Sequence, residues 1–155
     1  MAKTGIKCKL YLNTATYGSP TWTEINFISD LSVNAVWDEV DGSVRGSRVK
    51  ASAKSLLGLE LAGKIRASDS DANYTTIIEA MLSDGALDLM VLNGAKDANG
   101  TRGYRADFNV FGASEDQSMG VVVFNDITLK PAISTHLPQA VVVTAGAPVF
   151  SDIAA

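Results

Sequence analysis

A single cysteine stands in this chain of 155 residues, which excludes an internal disulfide and a cysteine-based zinc site. That residue, Cys8, belongs to an alternating segment that predicts a first strand from Ile6 to Leu12. Because the alternation places Cys8 on the same face as Ile6, Leu10 and Leu12, we expect a buried and inert thiol.

Histidine is equally scarce, which limits the catalytic chemistry that the chain can perform. The one histidine, His136, lies between turn-forming residues and has no serine and acidic pattern around it. Asp30, Asp69 and Asp71 lack the spacing of a calcium-binding loop, and capping of a following helix accounts for Asp69 and Asp71. The sequence therefore predicts no catalytic residue, no cofactor, no metal site and no enzymatic activity.

The chain also has few charged residues and no long apolar run. Charged residues make up 19% of the sequence and the net charge is −4, which argues against a nucleic-acid-binding surface, because such modules are usually basic on one face. A mean hydropathy of +0.13 fits an assembly subunit. The opening residues lack the apolar segment of a signal peptide, and no run approaches the ~20 apolar residues of a membrane span. We therefore expect folding in the cytoplasm and no membrane anchor.

Period-2 alternation is what the sequence has in abundance, and its longest example is Asp30–Arg66. Two alternating segments flank a connection rich in glycine, serine and basic residues, which predicts a long antiparallel β-hairpin. At ~3.3 Å per residue, an arm of about a dozen residues reaches about 40 Å, roughly twice the usual strand. A ribbon of that length predicts that something outside the monomer uses its polar face and its two edges.

The two faces of this hairpin differ in chemistry. Its odd-numbered positions are apolar in both arms, so antiparallel partners must keep an even sum of residue numbers. A sum of 96 sets Leu31 opposite Ile65 and Trp37 opposite Leu59, and sums of 94 and 98 fit nearly as well. We expect the protein core to cover the odd-numbered face. The polar face comprises Ser32, Asn34, Val36, Asp38, Gly58, Glu60, Ala62, Lys64 and Arg66.

Charge is unevenly spread along the hairpin. The segment from Leu10 to Val44 contains acidic residues but no Lys or Arg, whereas Arg45–Arg66 is basic apart from Glu60. Cross-strand pairing within one chain and complementary charge between neighbouring copies both account for this distribution. We expect the connection Gly42–Ala53 to be mobile in a free subunit and ordered on assembly. The candidate contacts between copies in this connection are Arg45, Arg48 and Lys50.

After Arg66 the apolar period becomes helical and then returns to that of strands. Five apolar residues on one face predict a single helix over about 71–83, ended by a left-handed Gly85: they are Tyr74, Ile77, Ile78, Met81 and Leu82. Strands are predicted at 22–25, 87–92, 104–110 and 121–130, with an acidic turn at 113–118. This order indicates an α+β, mainly β fold: a β-sandwich or partly open barrel with one flanking α-helix.

The last stretch differs in character, and we expect residues 1–133 to form the main domain and residues 134–155 a C-terminal arm. The arm carries one charge, Asp152, and the apolar run Val141, Val142 and Val143. An exposed run of this kind is a pairing hazard, so we expect it to add a strand to its own sheet or to a neighbour's. These three valines are candidate contacts between copies, and we expect the arm to become ordered on assembly.

Four aromatic residues raise an alternative from another class. Tyr11, Tyr17, Trp22 and Trp37 could form the platform of a carbohydrate-binding β-sandwich module. Trp37 falls on the apolar face of the hairpin, which favours core packing for that residue. The absence of a signal peptide in the opening residues also counts against a secreted module.

Taken in order, several short segments resemble the tail tube proteins of long-tailed bacteriophages. The resemblance covers roughly residues 5–131. Its parts, in chain order, are Gly5 with Leu10 and Tyr11; Pro20 with Trp22; Ile28–Asp30, Asp38 and Asp41; Ser43 with Arg45, Gly46 and Ser47; Ala80 and Met81 with Gly85; and Asp126–Pro131.

The resemblance implies a structural virion protein of the phage tail, assembled in the host cytoplasm. Six copies form a ring, rings stack into a hollow tube, and the long hairpins join one intersubunit β-barrel through which DNA leaves the virion without specific binding. A ribbon with one apolar face, repeated by rotation, closes such a barrel and removes its edges.

It also implies the tail type, the partners and the site. The tail is of the non-contractile, siphophage type, and the alternative is the inner tube of a contractile tail or injection device, which uses the same subunit fold. The partners are the tape measure, tail terminator and distal tail proteins. The even-numbered, polar face of the hairpin is then expected to line the lumen.

Overall fold

The structure is a computed structural model and describes residues 8–46, 48–115 and 117–153. The strands in these residues are β1 (Lys9–Asn13), β2 (Trp22–Glu24), β3 (Ile28–Asp41), β4 (Ser52–Arg66), β5 (Leu87–Leu92), β6 (Arg102–Glu115), β7 (Phe124–Pro131), β8 (Gln139–Thr144) and β9 (Ala147–Asp152). The helix α1 spans Ala72–Leu82. The predicted first strand is confirmed from Lys9 onward, and Ile6 lies outside the described residues.

All of these strands belong to one antiparallel sheet. Seven of them follow the order β2-β1-β5-β6-β7-β4-β3, and β8 and β9 lie off this path, with β8 paired to β6 and β9 paired to β8. Strand β6 is long enough to pair with three others. It pairs with β5 through Gly103–Phe108 on one edge, and on the other edge first with β8 and then, from Phe108 to Glu115, with β7. The sheet curls around one core as a partly open barrel, so the predicted fold class, mainly β with one flanking helix, is confirmed.

The main core lies inside the curl, under the helix. Leu10, Leu61 and Phe108, from three different strands, are fully buried there, and α1 contributes Tyr74, Ile77 and Ala80. The helix begins where its cap is available, because the backbone N–H groups of Asn73 and Tyr74 donate to Asp71 Oδ1 at 2.7 and 3.3 Å.

The predicted helix is therefore confirmed, with two corrections at its end. Leu82, which was placed on the buried face, is 77% exposed. The helix ends at Ser83 in an extended conformation rather than at a left-handed Gly85. Beyond the helix end, the Gly85 N–H donates to the Ser83 hydroxyl at 3.3 Å.

A second core lies on the opposite face of β1 and β5. Tyr11, Met90 and Leu92 point away from the main core because neighbouring residues of a strand face opposite sides. The β8–β9 hairpin covers them with Val141 and Val143. The C-terminal arm thus adds strands to its own sheet, which is the first of the two expected alternatives, and Val141 and Val143 are buried within the chain.

Strand β9 was not predicted, because its turn gave no recognisable signal. Ala145 and Gly146 connect β8 to β9 with φ values of 52° and 78°. Two-residue hairpin turns with positive φ usually contain Asn, Asp or Gly at the first position. An alanine in that position hid the hairpin from sequence reasoning.

The hairpin of β3 and β4 keeps the predicted parity in its centre but not the preferred register. Val33 pairs with Leu61, Ala35 with Leu59 and Trp37 with Leu57, which is a sum of 94 rather than 96. Bulges between Ser29 and Ser32 and between Trp37 and Glu39 shift the pairing by one residue at both ends. Asp30, inside the first bulge, has a φ of 51°.

Gly63 explains how the first bulge fits against β4. A Cβ atom at this position would lie 3.0 Å from Ile28 Cδ1 and 3.5 Å from the Leu31 Cα. The space left by the missing side chain lets Ile28 and Leu31 both pack toward the main core. A side chain in place of Gly63 would therefore crowd Ile28 and Leu31 beside the first bulge.

Three further expectations fail near strand ends. Residues 113–115 continue β6 rather than forming a turn, and β7 begins at Phe124, which leaves Val121 and Val122 in an exposed loop. Cys8 is exposed rather than buried. It precedes the first β1–β5 pair, Lys9 with Leu92, so the strand that would bury it has not yet begun.

Candidate functional site

The most prominent feature of the molecule is the outer part of the β3–β4 hairpin, which extends beyond its neighbouring strand. Strand β7 pairs with β4 only from Leu61 to Arg66. Residues 34–41 and 52–60 therefore form a two-stranded ribbon, and within the described residues no strand pairs with its outer edges. Isolated two-stranded hairpins are marginal in water, so this ribbon calls for further strands.

Burial on the apolar face of the hairpin differs between its two strands. Leu59, Leu61 and Ile65 are at most 3% exposed, as expected for a covered face. Val33, by contrast, is 41% exposed, and Trp37 is half-buried with Lys54 Nζ 5.5 Å from its ring centre. The core of the chain thus covers the β4 side of this face up to Leu59. It leaves accessible Val33 of the edge strand β3, which pairs with the buried Leu61.

The even-numbered residues of the hairpin share the opposite face in the central pairs. Ser32 pairs with Ala62, Asn34 with Glu60, and Val36 with Gly58. The other three proposed lumen residues, Asp38, Lys64 and Arg66, lie at or beyond the bulges. Of the nine residues, two are half-buried and the rest are exposed: the half-buried ones are Glu60 and Ala62.

Two ion pairs on this face join β4 to β7. Lys64 Nζ lies 4.0 Å from Asp126 Oδ1, and Lys130 Nζ lies 3.6 Å from Glu60 Oε2. The Arg66 guanidinium stacks 4.5 Å from the Phe27 ring centre. The polar face therefore continues across β4 onto β7 with charges of both signs.

The connection at the tip of the hairpin presents a basic surface. Arg45, Arg48 and Lys50 are all exposed, as a contact surface between copies requires, and Ser47 lies outside the described residues. The Ala51 N–H donates to the Ser43 hydroxyl at 3.0 Å and the Ser43 N–H donates to Asp41 at 2.9 Å. Hydrogen bonds from Ser43 lower the pKa of Asp41.

The three valines of the arm do not share one environment. Val141 and Val143 are each 1% exposed in the second core, whereas Val142 is 39% exposed. Alternation along β8 causes this difference. Val141 and Val143 thus pack within their own chain, and Val142 is the valine of the three whose side chain stays accessible for a contact between copies.

A buried ion pair links β5 to β6 and faces Phe150 of the arm, and sequence reasoning missed it. Arg105 donates to both carboxylate oxygens of Asp88, at 3.0 Å from Nε and 2.7 Å from Nη2. Its guanidinium also donates to the Tyr17 carbonyl at 2.9 Å and faces the rings of Tyr17, Trp22 and Phe150. An arginine inside an alternating strand was the only sign of this pair in the sequence.

His136 fastens the start of the arm. Its Nδ1 lies 2.9 Å from Asp107 Oδ2, and its ring stacks on Tyr17 with the ring centres 3.5 Å apart. The Ser134 hydroxyl donates to the same Asp107 oxygen and also meets the histidine at Nδ1. A proton relay needs the serine and the acid on different ring nitrogens, so this arrangement is a clamp.

The remaining candidate sites do not assemble. In residues 8–46, 48–115 and 117–153, no three His, Cys, Asp or Glu side chains form a group that could hold a metal ion. Tyr11 and Trp22 pack in the second core, Tyr17 stacks on His136, and Trp37 lies on the ribbon. These positions give no sugar platform among the described residues. The helix of the described part is not long and apolar enough to cross a membrane.

Buried tyrosines predict a loss of stability in alkali. Burial raises the pKa of Tyr11 and Tyr17, and it raises that of Tyr74, where the charges of Glu115 and Asp69 act in the same direction. A raised folded-state pKa means that stability is complete below the ordinary value of 10.0 and falls as pH rises through the folded value. Urea unfolding at pH 8 and pH 11 should show this fall. A free energy of unfolding that is constant over this range would contradict it.

Known structures share this fold. The chain aligns with the SPP1 tail tube at a TM-score of 0.68 and 9% identity, covering 83% of this chain and 75% of that one. It aligns with a chain of the virion of the native gene transfer agent (GTA) particle at a TM-score of 0.66 and 13% identity, covering 97% of this chain and 99% of that one. It also aligns with the tail of the empty GTA particle, which was refined with C6 symmetry. Here the TM-score is 0.62 and the identity 14%, and the alignment covers 86% of this chain and 96% of that one.

A fourth structure comes from another device. The chain aligns with the 6-fold symmetrised baseplate of the anti-feeding prophage (AFP) at a TM-score of 0.56 and 9% identity, covering 93% of this chain and 99% of that one. No family model and no curated protein matches the sequence. The structural alignments, by contrast, show that the chain has the fold of phage-like tail tube proteins.

Proposed function

We propose that this protein is the structural subunit of a phage-like tail tube. Six copies close into a ring, rings stack into a hollow tube, and DNA passes through the lumen. The observation that carries the proposal is the ribbon of residues 34–41 and 52–60, whose edges find no partner strand within the described chain. Unpaired edges invite further pairing, and closure into a barrel satisfies them.

Two edges of each subunit suit pairing between neighbours. One is the outer edge of β3. The other is the edge of β6 at residues 109–115, because β5 pairs with β6 only as far as Phe108. Strand direction alternates through β3, β4, β7 and β6, so β3 of one copy meets β6 of the next as an antiparallel partner. Repeated by rotation, this contact closes a ring.

The even-numbered face of the hairpin lines the lumen in this proposal, and the adjoining face of β7 extends it. A passing DNA strand needs a wet wall that does not retain it, since each phosphate neutralised by Lys or Arg adds affinity. Lys64 and Lys130 already have acidic partners, Asp126 and Glu60, at 4.0 and 3.6 Å. Such a wall carries charge without a continuous basic surface.

We further propose a non-contractile tail. The resemblance of residues 5–131 to the tail tube proteins of long-tailed bacteriophages supports this proposal. The inner tube of a contractile tail or injection device is the second candidate, and a sheath around the tube in the native particle would decide for it. The virion location, cytoplasmic assembly, and tape measure, terminator and distal tail partners follow from the same proposal.

Self-assembly tests the proposal directly. The purified protein should give rings with the mass of six chains of 16.3 kDa, about 98 kDa, and at higher concentration tubes of uniform width. Mass photometry measures the ring, and negative-stain microscopy shows the tube. A species that stays monomeric at high concentration would count against the tube subunit.

A further inference from the structure

We propose that Pro148 keeps the outer edge of the C-terminal hairpin from pairing with a second copy of this chain. The hairpin consists of β8 (Gln139–Thr144) and β9 (Ala147–Asp152), and β9 pairs with β8 along one edge. Among the described residues, no strand pairs with the other edge of β9. An unpaired edge is a template for association with another chain, so the subunit has to keep this edge single.

The turn of the hairpin sets the direction of the main-chain groups in β9. Because the loop of residues 145–146 has positive φ at both positions, the flanking residues Thr144 and Ala147 exchange both of their main-chain hydrogen bonds. From there, bonded and non-bonded pairs alternate along an antiparallel hairpin. The next pair, Val143 with Pro148, is therefore non-bonded, and the main-chain groups of these two residues point away from each other.

Hydrogen bonds at both ends of the hairpin agree with this alternation. The Val143 N–H donates to the Thr101 carbonyl at 2.8 Å, and the Val143 carbonyl accepts the Gly100 N–H at 3.0 Å. Both groups of Val143 thus point away from β9. At the open end, the Ile153 N–H donates to the Pro138 carbonyl at 2.9 Å, as the alternation requires of a bonded pair.

Three residues of β9 therefore direct their main-chain groups to the free edge, and the first of them has no donor. They are Pro148, Phe150 and Asp152. Proline lacks a backbone N–H, and its ring occupies the space that the carbonyl of a neighbouring strand would enter. One residue earlier or later in β9, a proline would remove a hydrogen bond to β8 instead. The observed position leaves the hairpin intact and interrupts its outer edge.

A second copy of β9 is the partner that this edge would otherwise accept. Two such strands related by a two-fold axis through Phe150 are antiparallel, and they set Pro148 of one copy opposite Asp152 of the other. Val149 is 51% exposed, so the strand also offers apolar surface to a partner. Each end of this pairing lacks the hydrogen bond that residue 148 would donate. The inference does not rest on the proposed tube, because the edge belongs to each single subunit.

Restoring the missing donor tests the inference. Pro148→Val should associate through β9 at a concentration about tenfold lower than the unaltered protein, since it regains a hydrogen bond at each end of the pairing. Ser151→Val is the matched control, because it adds a valine to the same exposed strand while the N–H of residue 151 points to β8. It should associate no more than the unaltered protein. Sedimentation velocity over a concentration series measures association, and melting temperatures verify folding.

Moving the proline supplies a second variant. Pro148→Val combined with Asp152→Pro should return to the behaviour of the unaltered protein, because position 152 also points outward and lies opposite position 148 in the two-fold pairing. Association that persists in this combined variant would place the contact elsewhere and overturn the inference.

Hydrogen exchange tests the geometry without any substitution. In the unaltered protein, the amides of Phe150 and Asp152 should exchange faster than those of Val149 and Ser151, which point to β8. In associated Pro148→Val, the Phe150 amide should become protected. A Phe150 amide that is already protected in the unaltered protein would show that the edge is occupied, and would overturn the inference.

The outcomes separate this inference from the proposed function. A folded Pro148→Val protein that associates no more than Ser151→Val would overturn the role of Pro148 and leave the tube subunit in place. If the unaltered protein forms no rings while Pro148→Val doubles the mass of the subunit, the proposed tube fails and the role of Pro148 stands.

Discussion

Replacing Leu59 with arginine should abolish assembly, whereas Ala62→Arg and Asn34→Arg should still give tubes that slow or block DNA passage. Leu59 is 3% exposed in the main core, and its burial contributes roughly 1.5–3 kcal/mol that a charged side chain would forfeit, in addition to the cost of burying the charge. Ala62 and Asn34 lie on the polar face, where an arginine meets solvent.

The effect on DNA follows from repetition around the ring. In the proposed tube, one added arginine per chain would place a ring of positive charge in the lumen. Each phosphate that such an arginine neutralises steepens the fall of log affinity with log salt concentration by about 0.9. Tubes of the Ala62→Arg variant should therefore retain DNA at low salt and release it at high salt. Electron microscopy of the tubes, combined with DNA retention across a salt series, measures both parts.

The opposite result has a clear meaning. If Ala62→Arg and Asn34→Arg fail to assemble while Leu59→Arg assembles normally, the two faces of the hairpin have been exchanged in our assignment. If tubes of both polar-face variants pass DNA as freely as the unaltered protein, that face does not line the lumen.

Removing Arg105 should destabilise the subunit more than any change to a surface charge. Its guanidinium and the Asp88 carboxylate have side chains only 4% and 12% exposed, so Arg105→Met leaves an uncompensated buried carboxylate. Breaking such a pair typically costs about 3–5 kcal/mol, which lowers the melting temperature of a chain of this size by roughly 10 °C. The loss arises from Asp88 rather than from the missing contact alone.

Two comparisons make this prediction specific. Lys9→Met removes an ion pair with Glu24 whose side chains are about a third exposed, at 32% and 33%, and should change stability far less. The combined variant Arg105→Met with Asp88→Leu should recover part of the loss, since no buried charge is left without a partner. Thermal unfolding of the unassembled subunit measures all of these. An Arg105→Met variant as stable as Lys9→Met would refute the role of the pair.

The helix and the parity of the hairpin were predictable because they depend on local chemistry. A helix of eleven residues with an Asp71 cap follows from apolar spacing and one carboxylate. Parity follows from alternation, since a slip by one residue would expose Leu59 and Leu61. Contacts within a few residues, or within one repeating pattern, decide both features.

The sequence by itself determined that this chain is mainly β with one helix and that its longest hairpin has one apolar and one polar face. It also determined that the one cysteine and the one histidine belong to no common active-site motif. Only the tertiary structure decided the register of that hairpin, the exposure of Cys8, the inward direction of Val141 and Val143, and the pairing of Arg105 with Asp88. The physical reason is that these features depend on which strands end beside one another. Bulges, a glycine under a bulge and a hairpin folded over the back of the sheet set those ends, and alternation along a strand carries no information about them.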